Sequence, residues 1–135
     1  MKFYDSYGKI RNLKTPQKYL IDWSVASRSK FQNNIKNFIK DYWVHDVVFE
    51  EFRVVGSRLS LDFYNANKKI AIEVQGDQHI KYVKHFHKNR MKYLDQLKRD
   101  QKKLDFCEMN GIKLVEIYST DVVDESFFNN QDIYL

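Results

Sequence analysis

Apolar positions along this chain change period, and the changes mark its elements. Phe31, Ile35, Phe38, Ile39 and Tyr42 recur at the spacing of one helix face, and Ser27 or Ser29 stands ready as the N-cap. Three runs rich in Val, Ile, Leu and Phe follow near 47–55, 59–65 and 69–75, separated by the turn residues Gly56-Ser57 and Asn67-Lys68. They read as strands. Helical spacing returns over roughly 90–109, with Tyr93, Leu97, Leu104 and Cys107 as its inward stripe and Gly111 as the residue that stops it. IKLVEIY then reads as a buried strand. The order α-β-β-β-α-β predicts an α/β fold with a mixed central sheet flanked by helices. Pro16 marks a helix start before QKYLIDW. The chain reads as one domain over 1–135, with 1–27 an N-terminal extension and 119–135 an acidic, aromatic tail.

Two strands carry a carboxylate where strands disfavour one. Asp62 lies between Leu61 and Phe63, and Glu73 between Ile72 and Val74. Alternation puts Leu59, Leu61 and Phe63 on one face and Ser60, Asp62 and Tyr64 on the other. A tight turn at Asn67-Lys68 sets Asp62 across from Glu73 and Ser60 across from Gln75. A tight turn at Gly56-Ser57 sets Glu51 across from Asp62, which would make a row of acids over three strands. Opposed acids repel, so such a row implies a cation between them. Oxygen donors without thiolates select Mg²⁺ or Mn²⁺. The bland alternative is an exposed sheet face.

Charge narrows the partners. Lys and Arg number 23 against 18 Asp and Glu, a net charge of +5, which fits a polyanion. Lys81, Lys84, Lys88 and Arg90, interleaved with Tyr82 and Phe86, have the makings of a nucleic-acid contact, with lysines on phosphates and rings on unpaired bases. Arg99 and Lys103 are one helical turn apart and can reach a phosphate backbone; a solvated charged face is the competing reading. His85 and His87 fit better there as phosphate contacts than as metal ligands. The single cysteine, Cys107, excludes an internal disulfide and reads as core. No signal-peptide pattern opens the chain and no run is long enough to span a membrane. The expected location is the cytoplasm of a bacterium or of a phage-infected host. A homodimer is compatible with the sequence.

An Asp followed at about ten to twenty residues by Glu-x-Lys on a second strand resembles the PD-(D/E)XK nuclease superfamily. The string EVQGDQH, with RDQKKLDFCEMNGIKLVEIY after it, is similar to a phage and bacterial branch related to very-short-patch repair and some homing endonucleases. The match covers 47–118. The resemblance implies a restriction-endonuclease-like fold, Mg²⁺- or Mn²⁺-dependent hydrolysis of DNA, and a phage origin. It implies Asp62, Glu73 and the Val74 carbonyl as metal ligands, with His79 in the active site, where an imidazole titrating near neutrality serves as general acid or base. A turn-capping His79 is the alternative. Two positions depart from the pattern. Gln75 stands where the superfamily has Lys, as in some restriction enzymes, and Gln32 stands where the branch has Glu in its first helix, so that Glu51 is a candidate replacement. A DNA-binding module with a degenerate site, or a structural protein on a nuclease fold, is the alternative function.

Overall fold

The computed structural model describes residues 1–76 and 90–135. It is a mixed α/β structure. A hairpin of β1 (Lys2–Tyr4) and β2 (Ile10–Asn12) leads through a short 3-10 turn, Pro16–Tyr19, to helix α1 (Lys30–Trp43). Strands β3 (Val48–Arg53), β4 (Ser60–Asn65) and β5 (Ile70–Gly76) follow, then helix α2 (Arg90–Met109), strand β6 (Lys113–Tyr118) and a short helix α3 (Glu125–Asn129). The main sheet runs β3-β4-β5-β6, antiparallel up to β5 and parallel between β5 and β6. A parallel pair needs a long crossover, and α2 lies within it.

Both antiparallel registers agree with the sequence reading. Phe63 pairs with Ile72, and Phe52 with Leu61, the registers that tight turns at Asn67-Lys68 and Gly56-Ser57 dictate. The connections are wider than two residues: the β4–β5 link occupies 66–69 and the last β3–β4 backbone bond is Val54 N–H to Leu59 C=O. Each widened equally on both sides, so the pairing did not slip.

Helices cover both faces of the sheet. One face packs Phe63, Ile70, Ile72, Val115 and Ile117 against Ile35, Ile39 and Trp43 of α1 and Phe128 of α3. The other packs Phe49, Phe52, Tyr64 and Ala71 against Phe106 and Cys107 of α2 and Phe3 of the hairpin. Phe52 is the hub of this second cluster, its ring centroid between 4.7 and 5.9 Å from those of Phe3, Tyr19, Phe49 and Tyr64. Burying each such ring contributes about 1.5–3 kcal/mol. The terminal segments join these clusters. Asn110 exchanges two 2.8 Å hydrogen bonds with the backbone of Tyr4 and pins the hairpin to the end of α2. Asp124 caps α3 through the Phe127 N–H, and Phe128 stacks on Phe38.

Of the two candidate caps, Ser29 is the one that caps α1, and four other local expectations change. The inward side of α1 is Gln32, Ile35, Lys36, Ile39 and Trp43, while Tyr42 is exposed; two polar residues occupy core positions because carboxylates on β3 await them. The helix after Pro16 stops at Tyr19 because Leu20 bridges to Phe49 and the Ile21 N–H bonds the Val48 carbonyl, turning the chain onto the sheet edge. On α2, Leu97 and Leu104 are exposed, and the inward stripe becomes polar beyond Phe106 and Cys107. Leu61 also joins the cluster of Phe52, whereas Phe63 joins that of α1. Simple alternation therefore fails between them, at Asp62.

Candidate functional site

The β4–β5 ladder ends at the Phe63–Ile72 pair. Beyond it the strands are joined by their acids. The Asp62 N–H donates to Glu73 Oε1 at 3.0 Å, and the Val74 N–H donates to Asp62 Oδ2 at 2.7 Å. Each carboxylate thus spends one oxygen on the neighbouring strand and turns the other outward. Both residues are 6% exposed. The outward Glu73 Oε2 accepts from Lys103 Nζ at 2.9 Å, and the outward Asp62 Oδ1 lies 3.7 Å from Arg28 Nη2.

Burial dominates the electrostatics. It raises the Asp62 carboxyl to about 6, offset by the Val74 hydrogen bond and raised further by Glu51. It raises Glu73 to about 7, with Asp62 as the second cause. Two acids held this close and this dry favour the uptake of positive charge.

Glu51 adopts φ of +53°, in the left-handed region that non-glycine residues enter at a cost of about 1–3 kcal/mol. The ladder pairs Glu50 with Phe63 and Phe52 with Leu61 and omits Glu51. The distortion brings both glutamates to α1, where Gln32 Nε2 donates to Glu50 Oε2 at 3.1 Å and to Glu51 Oε1 at 3.0 Å. Glu50 also accepts from Ser27 Oγ and from the buried Lys36 Nζ. Gln32, the departure from the resembled pattern, is therefore in direct contact with Glu51, its candidate replacement.

A cleft of about 250 Å³ opens over the acid pair, lined by Asp62, Glu73, Val74, Gln75, Asp100 and Lys103 and rimmed by Arg28, Arg58 and Arg99. Gln75 is nearly buried. Asp100 accepts from Gln96 Nε2 at 2.8 Å, and burial raises its carboxyl. Lys103 pairs with Glu73 and so is not free for the backbone contact expected of it. Arg90 begins α2 and is exposed. His79, Lys81, Lys84 and Lys88 lie outside the described residues. Burial, with Glu73 as the next cause, pushes the Cys107 thiol up to about 12, which suits a core residue and not a nucleophile.

The donor set suits a hard divalent cation: two outward carboxylate oxygens, already attracting an ammonium and a guanidinium, stand at one end of a polar cleft. Among the described residues no three His, Cys, Asp or Glu side chains converge. Asp62 and Glu73 would hold such an ion, with Glu51 held back by Gln32 and Arg28. Arg28, Arg58 and Gln96 were not singled out from sequence. Arg28 and Arg58 sit in loops without periodicity, so nothing local marks them.

Fold and site together define an α/β protein with a buried acid pair at the parting of two antiparallel strands. The chain is 46% identical over 63 residues to "Uncharacterized protein 094L" of Frog virus 3 (isolate Goorha). It is 37% identical over 59 residues to "Uncharacterized protein 307L" of Invertebrate iridescent virus 6. These matches cover 46% and 44% of this chain and 41% and 30% of those proteins. The matched stretch is therefore less than half of each relative's length. No family model and no solved structure matches. No helix among the described residues is long and apolar enough to cross a membrane.

Proposed function

We propose that the chain is a virus-encoded, metal-dependent endonuclease that hydrolyses phosphodiester bonds in DNA, on a restriction-endonuclease-like core. The observation that carries this reading is the crossed pair of hydrogen bonds that holds Asp62 and Glu73 with one oxygen each turned into a cation-rimmed cleft. Acids alone would repel a phosphodiester; acids beneath Arg28, Arg58 and Arg99 offer a place for a metal and a place for the phosphate. Bound Mg²⁺ or Mn²⁺ would activate water and polarise the phosphoryl group. The chain's own residues supply the rest. The Arg28, Arg58 and Arg99 guanidiniums orient and neutralise the phosphate. Gln75 places its amide in the cleft to hold a water or a phosphate oxygen without contributing charge. Lys103, beside Glu73, keeps the acid pair partly neutralised until substrate arrives. His79 is assigned proton transfer from its place in the sequence string.

The test is cleavage of supercoiled plasmid, and of nicked, branched, single-stranded and duplex DNA, in Mg²⁺, in Mn²⁺ and in EDTA. Cleavage is expected with either metal and none in EDTA. Activity that survives EDTA removes the metal from the reading. The Lys103–Glu73 ion pair at 2.9 Å favours a second reading, a DNA-binding module without hydrolysis, because a fixed ammonium can stand in for the metal. Binding without cleavage in every metal would establish it.

A further inference from the structure

A second cavity, of about 330 Å³, adjoins the acid cleft and shares Arg28 with it. The guanidinium spans the two: its Nε lies 3.3 Å from Glu51 Oε1, on the second cavity, and its Nη2 lies 3.7 Å from Asp62 Oδ1, in the first. The side chain is 71% exposed, so a ligand can reach past it from either side. The second cavity differs in character from the acid cleft. Tyr19, Leu20 and Val25 supply ring and aliphatic surface, and Leu20 and Val25 are left 51% and 56% exposed. Glu50 and Glu51 supply carboxylates, while Lys18, its Nζ 5.0 Å from the Tyr19 ring centroid, adds a cation.

We propose that this cavity receives one unpaired nucleobase of the DNA strand whose phosphate lies over Asp62 and Glu73. The inference rests on the reading of the acid cleft as a phosphodiester site. Glu50 and Glu51 are paired with Lys36 and Arg28 and give the cavity no net charge to draw a phosphate inward, while their oxygens can accept hydrogen bonds from a base's amino or imino groups. Apolar surface and Tyr19 suit the faces of a base, and the cations Lys18 and Arg28 suit the phosphates that flank it. Arg28 sets the base and the phosphate on opposite sides of one guanidinium. A base held in duplex stacking cannot enter, so the preferred substrate is a strand with an unpaired nucleotide: single-stranded, bulged or mismatched.

The experiment uses the full chain in EDTA, where DNA stays intact on the proposed mechanism, and end-labelled oligonucleotides read by anisotropy. A perfect duplex, the same duplex with one bulged nucleotide, and the same bulge made abasic are compared, with 2-aminopurine at the bulge as a direct reporter. The bulged base is expected to bind about 10-fold more tightly than the duplex or the abasic bulge, the size of one stacked base, with a change in 2-aminopurine emission. Ala26→Leu and Ala26→Phe, which crowd the cavity, should erase that preference while leaving duplex affinity and melting temperature unchanged. Equal affinity for all three DNAs with no change in emission overturns the base pocket and leaves the phosphate site standing. Failure to bind any DNA, in EDTA and again with Ca²⁺ in its place, overturns both. A preference that persists in both crowded variants places the unpaired base elsewhere and also overturns the proposal.

Discussion

Asp62 and Glu73 hold each other's strands: the Asp62 N–H donates to the Glu73 carboxylate, and the Asp62 carboxylate accepts from the Val74 N–H. Two acids that should repel thus replace the backbone bonds that would have joined β4 and β5 at this level. The arrangement saves the buried amides from being orphaned and turns one oxygen of each acid outward, that of Glu73 to Lys103 and that of Asp62 toward Arg28.

That arrangement makes stability depend on pH. Both acids titrate higher in the folded chain, near 6 and 7, than their ordinary values of 3.8 and 4.5. The folded state therefore binds the extra protons. The associated stability is complete below about pH 4 and is lost as pH rises through about 6 to 7. In EDTA, urea unfolding of the wild type is expected to show this loss relative to Asp62→Asn, which cannot titrate. Parallel pH profiles for the two proteins would show that the raised values are absent.

Divalent metal should reverse that loss. At pH 8, Mn²⁺ at 100 times its dissociation constant would stabilise the wild type by about 2.7 kcal/mol. Asp62→Ala and Glu73→Ala should lose this gain and lower plasmid cleavage by several orders of magnitude while keeping their circular dichroism spectra. A melting temperature indifferent to Mn²⁺ in the wild type argues against a metal between these acids.

Gln75 and His79 separate by the kind of defect they cause. Gln75→Lys should stay active. Gln75→Ala should be slowed by about 10²–10³-fold, the effect of losing one positioned donor in a transition state. His79→Asn should reduce the single-turnover rate by about 10²–10⁴-fold and remove a limb of the pH–rate profile. A variant of His79 that melts earlier but turns over normally assigns that residue to the turn.

Lys36 tests the scaffold behind Glu51. Its ammonium is buried, 2.8 Å from Glu50 and 2.6 Å from the Val25 carbonyl. Lys36→Met strands the Glu50 charge and should cost about 3–5 kcal/mol. Adding Glu50→Gln should recover part of this. Additive losses in the double-mutant cycle would show that the two residues are not coupled.

The basic stretch is tested by salt. Replacing Lys81, Lys84 and Lys88 with Ala should weaken DNA binding and reduce the log–log salt slope by about 0.7–0.9 for each phosphate no longer neutralised. An unchanged slope places the DNA against Arg28, Arg58 and Arg99 alone.

Strands β3 to β6, helices α1 and α2 and the two antiparallel registers were legible in the chain, whereas the β1–β2 hairpin and α3 were not. Strand alternation, two turn sites and helical spacing are short-range signals, and they were enough to set Phe63 in register with Ile72 and Phe52 in register with Leu61, on either side of the acids. Lengthening a turn equally on both sides left that register intact. Tertiary structure alone decided what surrounds the acids. Glu51 has a left-handed backbone because α1 draws it to Gln32. Gln32 and Lys36 lie inward on α1 because glutamates on β3 satisfy them. Lys103 is held by Glu73 from thirty residues away, and Arg28 is carried to Asp62 by a loop without periodicity. Each of these depends on a partner distant in the chain. A residue's local pattern says which way its side chain points within an element; only the packing of elements says what charge it meets there.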